Sequence, residues 1–484
     1  MCHHQACSCG GGGLSRRELL LTAAGAGAIG GYVLRNASAA EAAIPADPEP
    51  PEQWPDVCVA FLRPKDKYWL GWPGTAWDVN ACDKYVKKSR ALIEKFGQQL
   101  KVRVSFEPEP LYTSAAIDAF MAKIKKTKPK GVVLMPLHMN QWANINKIVG
   151  CKRPTIIFAP LGTCFTGHIQ KVSKQPGVYL ASSADFELGP VRFGMKMIRT
   201  EHDVRRTRIA VLAGNATKDL VLEPFGLKIH RMPRRRFPET FKTLQETPEV
   251  LAVADEYQKA ADKIVEPKRA DLVNAAKNYV ASLKILKEEG CQGITMDCLG
   301  VVRDREVPCP PCMAWSKFLD VGITAVCEAD INAVMSHTLC CKLLDKPGFQ
   351  QDPVPETVNN TFIGAHCVCA TRLNGYDKPR EKFILRSHSE SDLGVSLQVI
   401  WPPGQVTTIM QFVGPGKMIL GKGKVLRNYN TPPAGGCRTS VDLAIDGPAD
   451  TRDTLGFHQL FIFGDHVRDF EAYGQMYGIA TEHI

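Results

Sequence analysis

The alternation of short apolar runs with longer amphipathic segments constrains the fold of this chain more than any other feature of its sequence. Strand-like runs such as "DVCVAFLRP", "KVRVSFEP", "GVVLMPLH" and "PTIIFAP" are separated by helical patterns such as "ACDKYVKKSRALIEKFGQQL" and "AAIDAFMAKIKKTK". A second set begins near "RIAVLAG" and includes "ADLVNAAKNYVASLKILKEEG" followed by "CQGITMDCLG". This βαβ alternation is typical of an open parallel sheet, and it predicts two Rossmann-like α/β domains at 57–200 and 201–354.

The C-terminal quarter has a different pattern. Segments such as "FILRSHSESDLGVSLQVIWPPGQVTTIMQFVG" and "CRTSVDLAIDG" alternate apolar and polar residues and are broken by Gly and Pro. This pattern predicts an antiparallel β domain over 355–484, either a small barrel or a sandwich. The glycines of "GPGKMILGKGK" lie between predicted strands, so they indicate turns and not a phosphate-binding loop.

The composition narrows the range of partners. Hydrophobic residues make up 44% and charged residues 23% of the chain, and no apolar run is long and clean enough to span a membrane, so we expect no stable membrane insertion. The net charge of +10 comes partly from "DVRRTR" and "HRMPRRRFPE", which lack interleaved aromatic residues. We therefore predict a solvated basic surface and no nucleic-acid partner; an anionic partner is the alternative.

The N-terminus is typical of an export signal. "SRRELLLTAAGAGAIGGYVL" places Arg16 and Arg17 directly before a short apolar run, and "NASAAEAA" supplies a small-residue cleavage pattern. We predict a twin-arginine signal peptide at 1–39, a linker at 40–56 and a periplasmic protein; the alternative is a cytoplasmic protein whose N-terminus is an ordinary helix. The twin-arginine route carries folded proteins, often with a cofactor already bound, and this favours a prosthetic group or a metal.

Cysteines are abundant and unevenly placed. Of the 17 in the chain, ten fall between Cys291 and Cys437. A zinc or redox site on Cys309-x-x-Cys312 is one interpretation, although a zinc ribbon needs a second C-x-x-C and "HCVC" is one residue short. Disulfides are another interpretation, but folding before export favours buried thiols.

The stretch "GITAVCEADINAVMSHTLCCKLL" holds an acid among apolar residues. Its apolar spacing predicts one helix with a buried stripe, and Glu328 falls within that pattern. A buried carboxylate requires a cation, a hydrogen-bond network or a raised pKa. Downstream, Asp352 precedes Pro353 on a predicted loop with extended backbone.

Imidazoles complete a candidate metal-binding set. His366 lies in "GAHCVC", and His458 and His466 lie in "GFHQLFIFGDH". Two carboxylates and one or two imidazoles form a ligand set that suits Mn²⁺ or Mg²⁺ better than a thiolate-bound zinc. Each residue alone has an ordinary structural interpretation.

Taken together, these residues resemble a known family. The region "MDCLG … PCMAWSKFLDVGITAVCEADINAVMSHTL … PGFQQDP … AHC … HQLFIFGDH" is similar to the catalytic region of the L-fucose isomerase and L-arabinose isomerase superfamily, over about residues 290 to 470. These are metal-dependent aldose–ketose isomerases with two Rossmann-like domains and a C-terminal β domain. The resemblance implies that Glu328 and Asp352 are both metal ligands and the acid/base pair, that His458 completes the metal site, and that His366 is a fourth ligand.

The resemblance also implies a reaction and an assembly. The expected activity is isomerisation of a deoxy-sugar or pentose through an enediol, with Mn²⁺ or another divalent metal such as Mg²⁺, in a homotrimer or homohexamer. Because open α/β sheets bind ligands at the carboxyl ends of their strands, Arg63 is a candidate substrate-binding residue, and His138 and Trp142 occupy similar positions. Two alternatives stay open: an exported sugar-binding protein without catalysis, and an epimerase or lyase that uses the same metal site.

Overall fold

A five-stranded parallel sheet forms the first part of the structure, a computed structural model that describes residues 49–65, 79–430 and 437–484. The predicted signal peptide and residues 40–48 of the linker lie outside these residues. The strand order is β2-β1-β3-β4-β5. The strands are β1 (Asp56–Leu62), β2 (Arg103–Phe106), β3 (Gly131–Pro136), β4 (Thr155–Pro160) and β5 (Val178–Ser183). The helices of this part are α1 (Val79–Leu100), α2 (Ser114–Thr127), α3 (Trp142–Val149), α4 (Thr166–Ile169) and α5 (Gly189–Arg206).

A second five-stranded sheet follows, with the order β11-β10-β6-β8-β7. Its pairings are parallel except for β7, which is antiparallel to β8. The strands of this segment are β6 (Arg208–Leu212), β7 (Lys218–Leu222), β8 (Leu227–Met232), β9 (Lys263–Ile264), β10 (Gly293–Met296) and β11 (Thr324–Cys327). Its helices are α6 (Arg236–Lys242), α7 (Pro248–Ala260), α8 (Arg269–Glu288), α9 (Cys298–Arg303), α10 (Cys312–Asp320) and α11 (Ile331–Leu344).

The C-terminal part is an antiparallel barrel, one of the two forms that the sequence predicted. The ring β16-β19-β12-β13-β18-β17 closes through antiparallel pairing of β16 with β17, and β20 adds to β17 in parallel. The barrel strands are β12 (Phe349–Glu356), β13 (Thr361–His366), β16 (Val406–Phe412), β17 (Lys417–Asn428), β18 (Thr439–Asp446) and β19 (Gln459–Phe463). A separate three-stranded sheet joins β14 (Phe383–Arg386) to β15 (Ser396–Val399) and to β9, and the chain ends with α12 (Val467–Tyr477) and β20 (Ala480–His483).

The two faces of the first sheet pack into different apolar cores. Along β1, Val57, Val59 and Phe61 belong to one core, and the intervening residues belong to the other. Strands buried on both faces are expected in a parallel sheet covered by helices on each side. The larger core continues through α11 to barrel residues such as Phe412 and Leu460, so the α/β part and the barrel share apolar packing.

The prediction of one helix through residue 328 is wrong. Thr324–Cys327 form β11, Glu328 and Ala329 have positive φ values of 64° and 55°, and α11 begins at Ile331. A short apolar run such as "TAVC" fits a buried strand as well as a helix, and here strand pairing decides between them. Glu328 therefore lies at the carboxyl end of a parallel strand, where open α/β sheets place ligands.

The basic runs are largely neutralised by acids of the same chain. Arg234 lies 3.0 Å from Asp297, 2.7 Å from Asp304 and 3.0 Å from Glu306. Burial lowers the pKa of Arg234, but its bonds to these carboxylates outweigh that effect and raise the pKa. Because the charge of Arg234 is already balanced by these carboxylates, the ion pairs favour the interpretation of "HRMPRRRFPE" as a solvated surface over its interpretation as a site for an anionic partner. Among the described residues, no helix has the length and apolar character that crossing a membrane requires.

Candidate metal centre

Four predicted ligands from three regions of the sequence meet where the second sheet joins the barrel. Glu328 follows β11, His366 ends β13, and His458 directly precedes β19. Asp352 lies within β12, not on the predicted loop, although its backbone is extended as expected. At this residue β12 changes partner: Gln351 pairs with Gln459 of β19, and Asp352 pairs with Ala365 of β13. The partner change brings His458, which directly precedes β19, within 3.2 Å of Asp352.

The ligand atoms of this cluster lie close together. Nε2 of His458 is 3.2 Å from Oε2 of Glu328 and 3.2 Å from Oδ1 of Asp352. Nε2 of His366 is 3.8 Å from Oε1 of Glu328. Glu328, His366 and His458 each present a ligand atom within 4.8 Å of the other two. These three residues therefore have the spacing of metal ligands, and Asp352 lies beside them through its contact with His458.

Both ring nitrogens of His366 are buried without a hydrogen-bond partner. The two imidazoles are only 5% and 3% exposed, whereas about 30% of each carboxylate side chain is exposed. A buried polar atom without a partner costs about 1–3 kcal/mol, so the His366 ring is poorly satisfied by the protein alone. The oxygen and imidazole donors of the cluster fit a divalent cation such as Mn²⁺ or Mg²⁺.

Asp330 is a residue of this site that the sequence analysis missed. One carboxylate oxygen accepts a hydrogen bond from the backbone N–H of Ala333 at 3.0 Å and caps α11; the other lies 2.7 Å from Nδ1 of His458. Because the Asp330 carboxylate lies on Nδ1, Nε2 of His458 faces the other ligands. Metal-binding histidines are usually oriented by such a contact on their second ring nitrogen. An Asp directly before an apolar helical pattern is a recognisable N-cap, but the sequence does not show its contact with His458.

The carboxylates favour a charged imidazole when no cation is bound. Burial lowers the pKa of His458, but hydrogen bonds with Asp330, Asp352 and Glu328 outweigh it and raise the pKa to about 11. Burial likewise raises the pKa of Asp330, and its bonds from His458 and Ala333 reverse that effect and lower it. A proton on His458 thus takes the place that a metal cation would occupy, and metal binding would release it.

Gln350 ties the two halves of the centre together. Its side-chain oxygen accepts a hydrogen bond of 3.1 Å from the backbone N–H of Cys327, the residue before Glu328. Next to it, Gln351 donates to the side-chain oxygen of Gln459 at 2.9 Å. The Gln350 contact holds the end of β11 against β12, and the Gln351 contact holds β12 against β19 beside His458.

The other candidate residues lie elsewhere. Arg63 is buried at the carboxyl end of β1, where its guanidinium lies 2.5 Å from Asp83 and 3.4 Å from the hydroxyl of Tyr112. None of these contacts reaches the candidate metal centre, and residues 66–78, which follow Arg63, lie outside the described residues. His466 lies 2.9 Å from Asp469 at the start of α12. It is therefore not part of the cluster.

His138 and Trp142 make local contacts near the ends of β3 and β4. The ring of His138 accepts a hydrogen bond of 3.2 Å from the backbone N–H of Asn140, and the Trp142 indole donates to the carbonyl of Thr163 at 2.9 Å. These bonds shape the loops at that edge of the first sheet. Both side chains therefore have structural roles there.

A cavity of about 1080 Å³ opens at the end of the neighbouring strand. Its wall includes Asp297, which follows β10, and β10 pairs with β11 so that Met296 lies beside Cys327. Lys242, Arg303 and His388 also line it. The four predicted ligands do not line this cavity, but it is large enough for a small sugar and begins one strand away from Glu328.

Comparisons with known proteins identify no family. No family model and no curated protein matches the chain. One similar solved structure is a periplasmic solute-binding protein of an ABC transporter from Actinobacillus succinogenes 130z with bound D-allose, at 10% identity and a TM-score of 0.19, covering 52% of this chain and 83% of that one. Another is LsrB from Clostridium saccharobutylicum in complex with AI-2, at 8% identity and a TM-score of 0.17, covering 71% of this chain and 97% of that one. Likeness at this level carries no argument about function.

Proposed function

We propose that this protein is a metal-dependent aldose–ketose isomerase acting on a deoxy-sugar or pentose, with the two-domain α/β and C-terminal β layout of fucose and arabinose isomerases. The observation that carries the proposal is the convergence of Glu328, His366 and His458 at metal-ligand spacing, with Asp352 3.2 Å from His458 and the ring nitrogens of His366 without a hydrogen-bond partner. These residues come from separate segments of the chain, so closeness in the sequence does not explain why their side chains cluster. The same residues carry the family resemblance.

The metal would be held by the two carboxylates and the two imidazoles. A divalent cation such as Mn²⁺ supplies Lewis acidity that stabilises negative charge developing on the two sugar oxygens. The protein fixes the ligands: Asp330 orients His458, and Gln350 holds the strand end that carries Glu328.

The proton transfers are assigned to the carboxylates. Isomerisation removes the proton on C2 of the aldose and returns a proton to C1 of the ketose. Glu328 and Asp352 are each about 30% exposed, so they can meet both a substrate and the buried histidines. One acts as the base and the other as the acid.

The sugar itself is expected to occupy space that includes the 1080 Å³ cavity beside β10. Asp297 and His388 on its wall offer hydrogen-bonding groups suited to sugar hydroxyls. Arg63 is retained in the proposal as a substrate-binding residue. This role requires that the sugar also contacts the carboxyl edge of the first sheet.

Isotope exchange separates the proposed reaction from its rivals. The metal-loaded protein is incubated with a panel of aldoses in D₂O and followed by NMR. We expect ketose formation with deuterium at C1 of the ketose or C2 of the aldose. Exchange without ketose favours an epimerase or lyase, and binding without exchange favours a sugar-binding protein. His466→Ala, eight residues from His458 and outside the cluster, serves as the matched control that should keep activity.

Export by the twin-arginine route to the periplasm and assembly into a trimer or hexamer remain parts of the proposal. Replacement of both Arg16 and Arg17 by Lys should hold a longer precursor in the cytoplasm, because the paired arginines are what this route recognises. Normal export and processing of the double variant would contradict the periplasmic assignment.

A further inference from the structure

An exposed aromatic ring lies beside the candidate metal centre and has no part in the chemistry proposed above. Phe457 directly precedes His458 in the loop that leads into β19. His458 is buried, whereas Phe457 is 58% exposed. Their ring centroids are 4.4 Å apart and their planes are tilted by 34°. One side of the phenyl ring therefore packs against the imidazole, and much of the rest is open to solvent.

The backbone of this loop is held by side-chain amides of the barrel. The amide of Gln411, in β16, bonds twice with the backbone of Phe457: its oxygen accepts the N–H at 2.9 Å, and its nitrogen donates to the carbonyl oxygen. Gln459 donates to the carbonyl oxygen of Leu455 at the start of the same loop. His458 has a φ of 57°, a left-handed backbone that is uncommon for residues other than glycine. The barrel thus fixes a conformation that buries the imidazole and leaves the neighbouring phenyl ring outside.

Gly456 is required by the same arrangement. Its φ is 94°, and a Cβ at this position would lie 2.1 Å from Oε1 of Gln411. Glycine therefore lets the Gln411 amide come close to the loop and reach the backbone of Phe457. The short sequence "GFHQ" combines this close approach with an exposed ring, a buried imidazole and a glutamine that ties the loop.

The phenyl ring is close enough to the two carboxylates for one small ligand to reach both. Nε2 of His458 is 3.2 Å from Glu328 and 3.2 Å from Asp352. A single imidazole therefore separates the ring of Phe457 from these carboxylates, which are themselves about 30% exposed. The carbon chain of an aldose is longer than an imidazole ring. A sugar whose C1 and C2 lie at the carboxylates can therefore extend past His458 to Phe457.

We propose that Phe457 is the platform on which the apolar C–H face of the sugar stacks, and that it determines which sugars the site accepts. The face of an aromatic ring carries partial negative charge, and the C–H groups of a sugar are weakly positive, so the two attract each other. Covering the exposed ring also removes apolar surface from water. A hydroxyl group pressed against the ring would lose its hydrogen bonds to water, so the ring selects sugars whose adjacent face carries hydrogen atoms. This assignment rests on the proposed function, because it takes the metal centre to hold C1 and C2.

The chain offers a matched control ring in its first α/β part. Phe165, which directly precedes α4, is 62% exposed and also lies beside a histidine. Its ring centroid is 5.9 Å from that of His168, with a tilt of 35°. Nδ1 of His168 accepts a hydrogen bond of 3.0 Å from the backbone N–H of Phe165, and His168 belongs to neither metal-spaced cluster of the described residues. The two phenyl rings thus differ mainly in whether a candidate metal centre lies behind the histidine.

The test compares sugar binding in variants of the Mn²⁺-loaded protein, with a panel of 6-deoxyhexoses, hexoses and pentoses as probes. Phe457→Leu keeps an apolar side chain but removes the aromatic face. For the aldose that the wild type uses best, KM should rise about 3- to 10-fold while kcat stays within about 2-fold, because the ring binds substrate and transition state alike. Phe457→Trp should keep KM near the wild-type value, and Phe165→Leu should not change it. For an aldose that binds without turnover, Kd from isothermal titration replaces KM.

Three results would overturn the assignment. Unchanged KM and Kd in Phe457→Leu would show that the ring does not contact the sugar. A loss of Mn²⁺ affinity in Phe457→Leu would make the ring a support of His458, and a change of oligomeric mass in light scattering would make it a contact between subunits. Sugar binding without isomerisation that weakens in Phe457→Leu would reject the proposed reaction and keep the platform. If no aldose of the panel binds to the wild type, both proposals are wrong.

Discussion

Two clusters among the described residues contain acids and imidazoles at metal-binding distance, and they differ in whether an arginine is present. In the first, Glu49 lies 2.7 Å from His202 and 2.7 Å from Arg199, and Arg199 also contacts Asp203 at 2.7 Å. In the second, built around Glu328, the ion pairs of the carboxylates are with histidines.

The difference is physically informative. A guanidinium already supplies the positive charge that the Glu49 carboxylate needs, and it would repel a divalent cation. The Glu328 cluster has carboxylates and imidazoles without such a partner. By the spacing of their ligand atoms alone, the two clusters are equally good candidates for a metal site. Their charges differ: the Glu49 cluster is an ion-pair network with an arginine, whereas the Glu328 cluster is a candidate metal centre.

The largest expected difference between the clusters is in turnover when one carboxylate charge is removed from each. Glu328→Gln keeps the shape of the side chain but removes a metal ligand and a proton-transfer group, so turnover should fall by about 10²- to 10⁴-fold or more. Glu49→Gln should leave turnover unchanged. Turnover is measured together with the melting temperature with and without Mn²⁺. Wild-type turnover and Mn²⁺-dependent stabilisation in Glu328→Gln would reject the catalytic assignment.

Metal content gives the second contrast. The purified protein should hold about one Mn²⁺-like ion per chain, lost on chelation, and His458→Ala or Asp352→Asn should lower affinity at least 10–100-fold. His202→Ala, in the Glu49 cluster, should not. Elemental analysis after dialysis checks this. Stoichiometric zinc that survives both substitutions in the Glu328 cluster and disappears with Cys309→Ser would point to the cysteines instead.

A smaller effect is expected from the residue that supports His458. Asp330→Asn retains an N-cap for α11 but removes the negative charge on Nδ1 of His458, so Mn²⁺ affinity should drop by about 10-fold while the helix remains. Asp203→Asn is the control for loss of an acid beside a histidine. Isothermal titration with Mn²⁺ measures both. Equal affinities in the two variants would mean that Asp330 is only a helix cap.

The smallest effect concerns acid stability. Burial raises the pKa of Glu49, but hydrogen bonds with His202 and Arg199 outweigh it and lower the pKa. Its folded-state pKa is therefore below the unfolded value of about 4.3, so its contribution to stability is present above that pH and is lost as the pH falls through the folded pKa. Glu49→Gln should destabilise the protein by about 1 kcal/mol at pH 7 and by less at pH 3, as measured by urea unfolding. A difference that grows toward low pH would contradict this sign.

Much of the architecture was predictable from the sequence because the patterns are long. The repeated βαβ alternation agrees with two sheets of mainly parallel strands, and the later two-residue alternation agrees with the antiparallel barrel. The region around Glu328 was not predictable, because the four residues Thr324–Cys327 satisfy strand and helix patterns equally. Only their pairing with β10 made them a strand.

The candidate centre was partly predictable. Glu328, Asp352, His366 and His458 could be chosen from their resemblance to a family, and the structure brings all four together. Asp330 could be recognised as an N-cap but not as the partner of His458, because 128 residues separate them. The pairing of β12 with β13 on one side and with β19 on the other depends on closure of the barrel. The local sequence pattern of each strand does not predict which distant strand it pairs with.

The partner change within β12 also sets an order of assembly. β12 and β13 form a local hairpin that brings Asp352 beside Ala365, whereas β19 returns to β12 across a separation of 108 residues between Gln351 and Gln459. Local contacts form with a small loop-closure entropy, and long-range strand pairing is slower. Half of the centre can therefore form early in folding, while His458 arrives only when the barrel closes. A cation that needs all four ligands would be retained by completed chains and released by incomplete ones, so its occupancy would report on completion of the barrel.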